Sequence, residues 1–303
     1  MPPAPSLPLL DEAAVRPVER RSRRPLEPSE EGDQLHDYVL EPYEPRAPQA
    51  GKLRSVNLLQ ETFALAGVDD EGAALVEAVR GGLGPFRTVW GVKHDRERAS
   101  LRGWELYFYD WKRVHADLSI ESLARLLAPS VRVDAAPPRP LPWHMISVEL
   151  SPSDLRGEGS GVPAHVYIDM RSYELRGSSF TFENVYTFHD PRREIDDVLH
   201  RLRASVHLDL GRDSLASLMP PELFRCNKVC VANKRDGDAL YFSRVGTSAL
   251  LAFLRAHRYP KELAAWVHAE RARLDHVLWD VGLDFAAEGG RAVIRRTGFY
   301  GTF

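Results

Sequence analysis

Lysine is scarce in this chain. Of its 40 basic residues only six are lysines, at positions 52, 93, 112, 228, 234 and 261, so a lysine kept inside a strand stands out. Cysteine is scarcer still, with only Cys226 and Cys230. Four residues apart on one strand, they would lie roughly 13 Å from each other, beyond disulfide reach. They also lack the second pair that a zinc site needs. A reducing, cytoplasmic setting fits. No run of 18 apolar residues is present, so no membrane-spanning helix is expected. The N-terminus lacks a basic start followed by an apolar stretch, which argues against a secretory signal. The formal charge is only −3, which gives no bulk electrostatic case for nucleic acid or an anionic membrane.

Familiar site motifs are missing too. There is no Gly-x-Gly-x-x-Gly, no P-loop and no Gly-x-Ser-x-Gly. Asp69-Asp70 and Asp196-Asp197 are not followed by the third aspartate of an Asp-Asp-x-x-Asp metal motif. That removes support for an α-helical isoprenoid synthase. His207-Leu208-Asp209 is half of a facial triad for iron, with no evident partner histidine.

What the chain has is paired strands. Residues 87–111, RTVWGVKHDRERASLRGWELYFYDW, read as a β-hairpin. In its second run Leu106 and Phe108 alternate with Glu105, Tyr107 and Tyr109. One face is apolar, and the other carries tyrosines and a carboxylate. A surface strand would ordinarily show short polar or charged residues there. A tyrosine-rich polar face suits the lining of an enclosed cavity.

The same unit recurs. Residues 143–150 alternate Met145, Ser147 and Glu149 against Ile146, Val148 and Leu150. Residues 164–170 alternate His165, Tyr167 and Asp169 against Val166 and Ile168. Residues 172–176 and 180–188 form the next pair. Residues 224–234 and 239–245 form the clearest one, turned at Asp236-Gly237, with Lys228, Cys230, Ala232 and Lys234 on one face. Residues 276–285 and 291–303 close the chain as a fifth pair.

Between the pairs lie amphipathic segments. Residues 58–79 have helical periodicity with a break at 67–72, and Ser119 is placed to cap a helix running to Leu127. A proline-rich loop, AAPPRPLP, follows. Asp190 and Pro191 predict the start of a helix carrying Ile195, Val198, Leu199 and Leu202. Further helices are expected from about Thr247 and over residues 261–273. Ten strands in five pairs predict an α+β fold with one antiparallel sheet of about ten strands and helices on its apolar face. A sheet of that size tends to curl and close into a barrel, placing the tyrosine-rich faces in a lumen. Residues 51–303 form this single domain.

Residues 1–50 differ in composition. They hold ten of the 22 prolines and the cluster Arg20, Arg21, Arg23 and Arg24, flanked by Glu27, Glu30 and Glu31. This reads as a disordered arm, and removing residues 1–45 is expected to leave the melting temperature unchanged.

The pattern resembles the ABBA, or PT-barrel, aromatic prenyltransferases, which repeat a helix–strand–strand–helix unit around one antiparallel barrel. The segments that carry the likeness are VWGVKHD…WELYFYDW, VCVANKRDGDALYFSRV and VGLDFAAEGGRAVIRRTGFY. The last two look most like the bacterial branch that modifies peptides or indoles. Two departures accompany it. There is no room for a helix between AHVYIDM and SYELR, and the family's Arg-x-Lys-x-Tyr strand pattern is absent in that form.

The resemblance implies transfer of an isoprenoid unit from an allylic diphosphate to an aromatic acceptor, such as a peptide side chain or an indole-like molecule. It requires no cofactor, although magnesium can assist such a reaction. Lys93, Lys228, Lys234 and Arg296 would then bind the diphosphate. Tyr107, Tyr109, Tyr167, Tyr241 and Tyr300 would shield the carbocation. Glu105 or Glu149 would remove the acceptor's proton. Of the two lysines on the clearest hairpin, Lys228 is expected to lie deeper and to matter more for diphosphate. The alternative is a non-catalytic protein that uses the same cavity or sheet to hold a small molecule or a protein partner.

Overall fold

The computed structural model describes residues 20–110, 118–137 and 142–303. Residues 1–19, 111–117 and 138–141 lie outside the described residues, and with them part of the expected arm, Trp111 and half of the proline-rich loop.

Ten antiparallel strands close into one barrel. They are β1 (Thr88–Asp95), β2 (Ser100–Tyr109), β3 (Met145–Leu150), β4 (Ala164–Ile168), β5 (Arg171–Arg176), β6 (Ser179–His189), β7 (Val229–Lys234), β8 (Asp238–Gly246), β9 (Leu278–Glu288) and β10 (Arg291–Thr302). Each strand pairs with its sequence neighbours, and β1 pairs with β10, from Val89 opposite Thr302 to Asp95 opposite Arg296. Closure removes both sheet edges, so every strand has a hydrogen-bonded neighbour on each side.

Alternation then decides what faces out. Trp90 and Val92 of β1 and Trp104, Leu106 and Phe108 of β2 are buried in the main apolar core, between the barrel and its helices. Helices α1 (Val56–Leu65) and α2 (Asp69–Leu83) cover this side. The Phe63 ring lies 4.6 Å from that of Trp104, whose indole N–H donates to Thr62 Oγ1 at 2.8 Å. Further round the barrel α7 (Thr247–Ala256) does the same over β8 and β9, Thr247 Oγ1 accepting from the indole of Trp279, whose ring lies 6.2 Å from that of Trp90. Burying the indoles of Trp104 and Trp279 costs little here because each N–H is satisfied.

The expected helices appear, with shifted ends. The expected break is shorter than residues 67–72: α1 ends at Leu65 and α2 starts at Asp69, so only residues 66–68 separate them and Gly72 lies inside α2. Ser119 caps α3 (Ile120–Leu127) through a reciprocal exchange with Ser122. A short helix, α4 (Pro152–Leu155), follows β3. β4 passes straight into β5 through Asp169 and Met170, with no helix between them, as the spacing required. Helix α5 (Ile195–Arg203) begins later than predicted: Asp190 caps a turn, accepting from the Arg192 amide at 2.9 Å, and the helix starts only after Glu194. After α6 (Leu215–Leu218), a 3-10 turn at Pro221–Leu223 runs into a turn and irregular backbone over residues 224–228, the expected start of the next strand, so β7 begins at Val229 and Lys228 falls outside it. The segment predicted over 261–273 is α8 (Lys261–Ala269) and a 3-10 turn at Arg271–Arg273.

The expectation of a disordered arm is corrected for residues 20–50. Arg54 forms a two-pronged pair with Asp33, at 2.7 and 2.8 Å, and Ser29 Oγ lies 3.0 Å from His276 Nε2. The Tyr43 hydroxyl donates to the Leu278 carbonyl and accepts from the Leu278 amide. Residues 37–40 fold into a tight turn, Leu40 taking a left-handed φ of 58°. Asp37, only 1% exposed, pairs with Arg244 at 2.8 Å. These residues cover part of one end of the barrel. Their many prolines shape an extended, docked strap.

Candidate functional site

The lumen is a cavity of about 460 Å³, within the range of small-molecule sites. It lies toward the end of the barrel that carries the tight hairpin turns, and Arg235, Asp236 and Gly237 of the β7–β8 turn line it. At the opposite end Tyr38 and Val39 of the strap line its floor.

One wall is built on three adjacent tyrosines. Tyr107 of β2 packs edge-on to Tyr300 of β10, with centroids 6.0 Å apart, and Tyr300 packs edge-on to Tyr241 of β8, at 6.2 Å. The rings can lie along the wall because glycines sit beside them. A Cβ on Gly282 would come within 2.5 Å of the Tyr241 ring, and one on Gly91 within 2.6 Å of Tyr300.

Two ammonium groups stand on this wall. Lys93 Nζ is 5.5 Å from the Tyr300 ring centre, and Lys234 Nζ is 5.9 Å from that of Tyr241. Each has a carboxylate partner. Lys93 pairs with Glu105 at 2.5 Å, and Lys234 with Asp284 at 3.0 Å.

Glu105 is the most constrained group in the lumen. It is 5% exposed and accepts from Ser147 Oγ and from the Tyr107 hydroxyl, both at 2.5 Å. Burial is the largest influence on its pKa and pushes it up. The Lys93 ammonium, the charge of His165 and hydrogen bonds from Lys93 and Ser147 outweigh that, and the pKa falls to about 2. For Lys93 burial again opposes, and the Glu105 carboxylate leads the effects that raise its pKa. The pair is therefore fully ionised near neutrality. Burial raises the pKa values of Tyr107, Tyr167, Tyr241 and Tyr300, so these phenols stay protonated and can donate. Burial likewise pushes the Cys230 thiol up to about 12, so it lines the lumen as a neutral group.

The opposite wall carries an imidazole–carboxylate pair. His165 Nδ1 of β4 lies 2.8 Å from Glu183 Oε2 of β6. Burial lowers the His165 pKa, but the hydrogen bond to Glu183 and the charges of Glu105, Glu183 and Glu149 raise it above its ordinary value. Nearby, the Asn184 amide donates to Ser172 Oγ and to the Tyr186 hydroxyl, each at 2.9 Å.

The lumen thus brings together Lys93, Glu105, Tyr107, Tyr167, Lys234, Tyr241 and Tyr300. Arg296 and Glu149 line its rim; Arg296 is exposed, and Glu149 pairs with Arg102 at 3.4 Å. Tyr109 lies at the floor, where its hydroxyl donates to the Tyr38 carbonyl. Lys228 is the exception. It pairs with Glu41 of the strap at 2.7 Å and does not line the cavity, so the expectation that it lies deeper in the lumen than Lys234 is corrected. It precedes the first residue of β7, so the alternation that turns Cys230 and Lys234 into the lumen does not extend to it. Ser147, His165, Glu183, Asp284 and Tyr38 were not proposed from sequence. The inward parity of Ser147, His165 and Asp284 was readable, but Glu183 has the parity opposite to its lumen-facing neighbours Asn184, Tyr186 and Phe188 and lines the cavity at the register shift between β5 and β6. Among the described residues no group of three or more His, Cys, Asp or Glu is placed to hold a metal ion. No helix among them is long and apolar enough to cross a membrane.

No family model and no curated protein matches this chain.

Proposed function

We propose that this protein is a prenyltransferase of the PT-barrel kind, moving an isoprenoid unit from an allylic diphosphate to an aromatic acceptor inside the lumen. The observation that carries this reading is the juxtaposition of two ammonium groups with a continuous wall of protonated tyrosines, floored at its far end by Tyr38.

Each part has a role. The allylic carbon–oxygen bond breaks heterolytically, and the diphosphate leaves with the electron pair. A lysine ammonium has three donors. Lys93 and Lys234 each give one to a carboxylate; their other contacts are long ones to tyrosine hydroxyls, Lys93 to Tyr107 and Tyr300 at 3.5 and 3.4 Å and Lys234 to Tyr241 at 3.4 Å, and these would be exchanged for diphosphate oxygens, with Arg296 at the rim adding donors. The allylic cation is stabilised over the faces of Tyr107, Tyr241 and Tyr300, which also exclude water. The acceptor's ring carbon then bonds to the allylic carbon, and the proton released passes to a carboxylate. Glu105 is a weak base, but the protonated ring intermediate is a very strong acid, so the transfer is downhill. The acceptor class, peptide side chain or indole-like, follows from the resemblance alone.

One observation favours the second reading, a non-catalytic binding protein. Both lumen lysines are already paired with carboxylates, so part of the charge a diphosphate needs is offset. One experiment separates the two. The protein is incubated with dimethylallyl or geranyl diphosphate and a panel of indoles, phenols and aromatic peptides, and products are read by mass spectrometry. A mass gain of one prenyl unit on an acceptor is expected. No product, together with no calorimetric binding of an unreactive prenyl diphosphate analogue, would leave the binding-protein reading.

A further inference from the structure

The lumen has a direction. Lys234 is the last residue of β7, at the hairpin-turn end, and Lys93 lies near the same end of β1. Arg295 and Arg296 line that rim as well. At the opposite end the side chain of Tyr38, which comes from the strap and not from any barrel strand, forms the floor beneath the tyrosine wall, and the exposed β4–β5 turn residues Asp169 and Met170 line the other side of that end. Its ring lies 6.2 Å from those of Tyr241 and Tyr300 and 6.3 Å from that of Phe188. Its hydroxyl sits beside the Cys230 thiol and meets no oxygen or nitrogen partner among the described residues. From Cys230 to Lys234 the strand advances four residues, roughly 13 Å. A ligand with a charged head at the lysines would therefore run its apolar tail down the tyrosine wall onto the Tyr38 ring.

The strap holds this ring through backbone atoms. The Tyr38 amide donates to Asp280 Oδ2 at 2.8 Å, and its carbonyl accepts from Tyr109. The flanking Asp37 is fixed by Arg244, whose own amide donates to Asp280 Oδ1 at 2.9 Å. The side chain can change without loss of any of these anchors.

We infer that Tyr38 is the specificity-determining floor of the lumen and sets the longest apolar chain the protein accepts. The identity of that chain as an isoprenoid rests on the function proposed above; the floor itself does not. An engineered apolar cavity of about 150 Å³ is enough to hold benzene, so removing an aromatic ring opens room on the scale of one five-carbon unit. Each further methylene that becomes buried tightens binding roughly fourfold.

The test uses the full chain and two ladders of unreactive ligands, read by calorimetry: n-alkyl diphosphates and neutral n-alcohols of five, ten and fifteen carbons. The unmodified protein should show a length beyond which affinity stops rising. Tyr38→Ala should move that limit up by about five carbons, Tyr38→Phe should leave it in place, and Tyr38→Trp should shorten it. If Tyr38→Ala fails to fold, the Tyr38→Trp limit decides. An unchanged limit in the folded Tyr38→Ala or Tyr38→Trp variant, or no limit in the unmodified protein, overturns the floor. Alcohols that show the shift while no diphosphate binds would uphold the floor and overturn the prenyltransferase reading.

Discussion

The ring of Tyr241 lies against the bare backbone of Gly282, its partner on the neighbouring strand; a Cβ there would come within 2.5 Å of Cδ1. Gly91 and Tyr300 repeat the arrangement across the β1–β10 pair. The aromatic wall of the lumen is thus made by tyrosines and glycines together.

It follows that Gly282→Ala should destabilise the protein by about 1–3 kcal/mol through overpacking, measured by urea denaturation. In a Tyr241→Ala background the same change should cost far less. Additive losses would show that the ring and the glycine do not share the space.

The Lys93–Glu105 pair should behave as a buried ion pair. Lys93→Met alone leaves a buried carboxylate unpaired and should cost about 3–5 kcal/mol. Lys93→Met with Glu105→Gln should recover most of that loss. A double variant as unstable as the sum of the singles would mean that solvent already screens the pair.

The wall was legible because strand parity is strict: Glu105, Tyr107 and Tyr109 had to share a face, and Leu106 and Phe108 the other. Five such pairs made one large sheet the natural expectation, and the barrel bears it out. Partners across the lumen were not legible. His165 on β4 meets Glu183 on β6 across the intervening β5, at a register shift that leaves Glu183 without a partner residue on β5, and no alternation rule announces such a shift. The strap was misread for a different reason. Its many prolines and arginines mimic a disordered tail, and nothing local announces that Asp37 will find Arg244 some 207 residues away. Lys228 was misplaced because it precedes the first residue of β7.

Removing residues 1–45 should therefore destabilise the protein, contrary to what composition suggests. The cut takes away Asp37 from Arg244, the Tyr38 amide from Asp280 and both Tyr43 bonds to Leu278. At about 1 kcal/mol per buried hydrogen bond the loss is about 3 kcal/mol or more, which lowers the melting temperature by roughly 6 °C or more. An unchanged melting temperature by calorimetry would show that the strap adds nothing to stability.

His165 gives the lumen a pH dependence whose sign can be worked out. Its pKa is raised in the folded protein, so the fold holds this proton more tightly than the unfolded chain does. That contribution is fully present below the unfolded value of about 6.5 and is lost as pH rises through the folded-state value. Glu183→Gln removes the hydrogen-bonding carboxylate and should lower the His165 pKa, as followed by NMR titration of labelled histidine. The variant should be less stable than the unmodified protein at pH 5.5, and the gap should close as the solution becomes alkaline. A His165 pKa that does not move in Glu183→Gln, or a stability gap that widens with pH, would overturn the assignment of a charged imidazole to this wall.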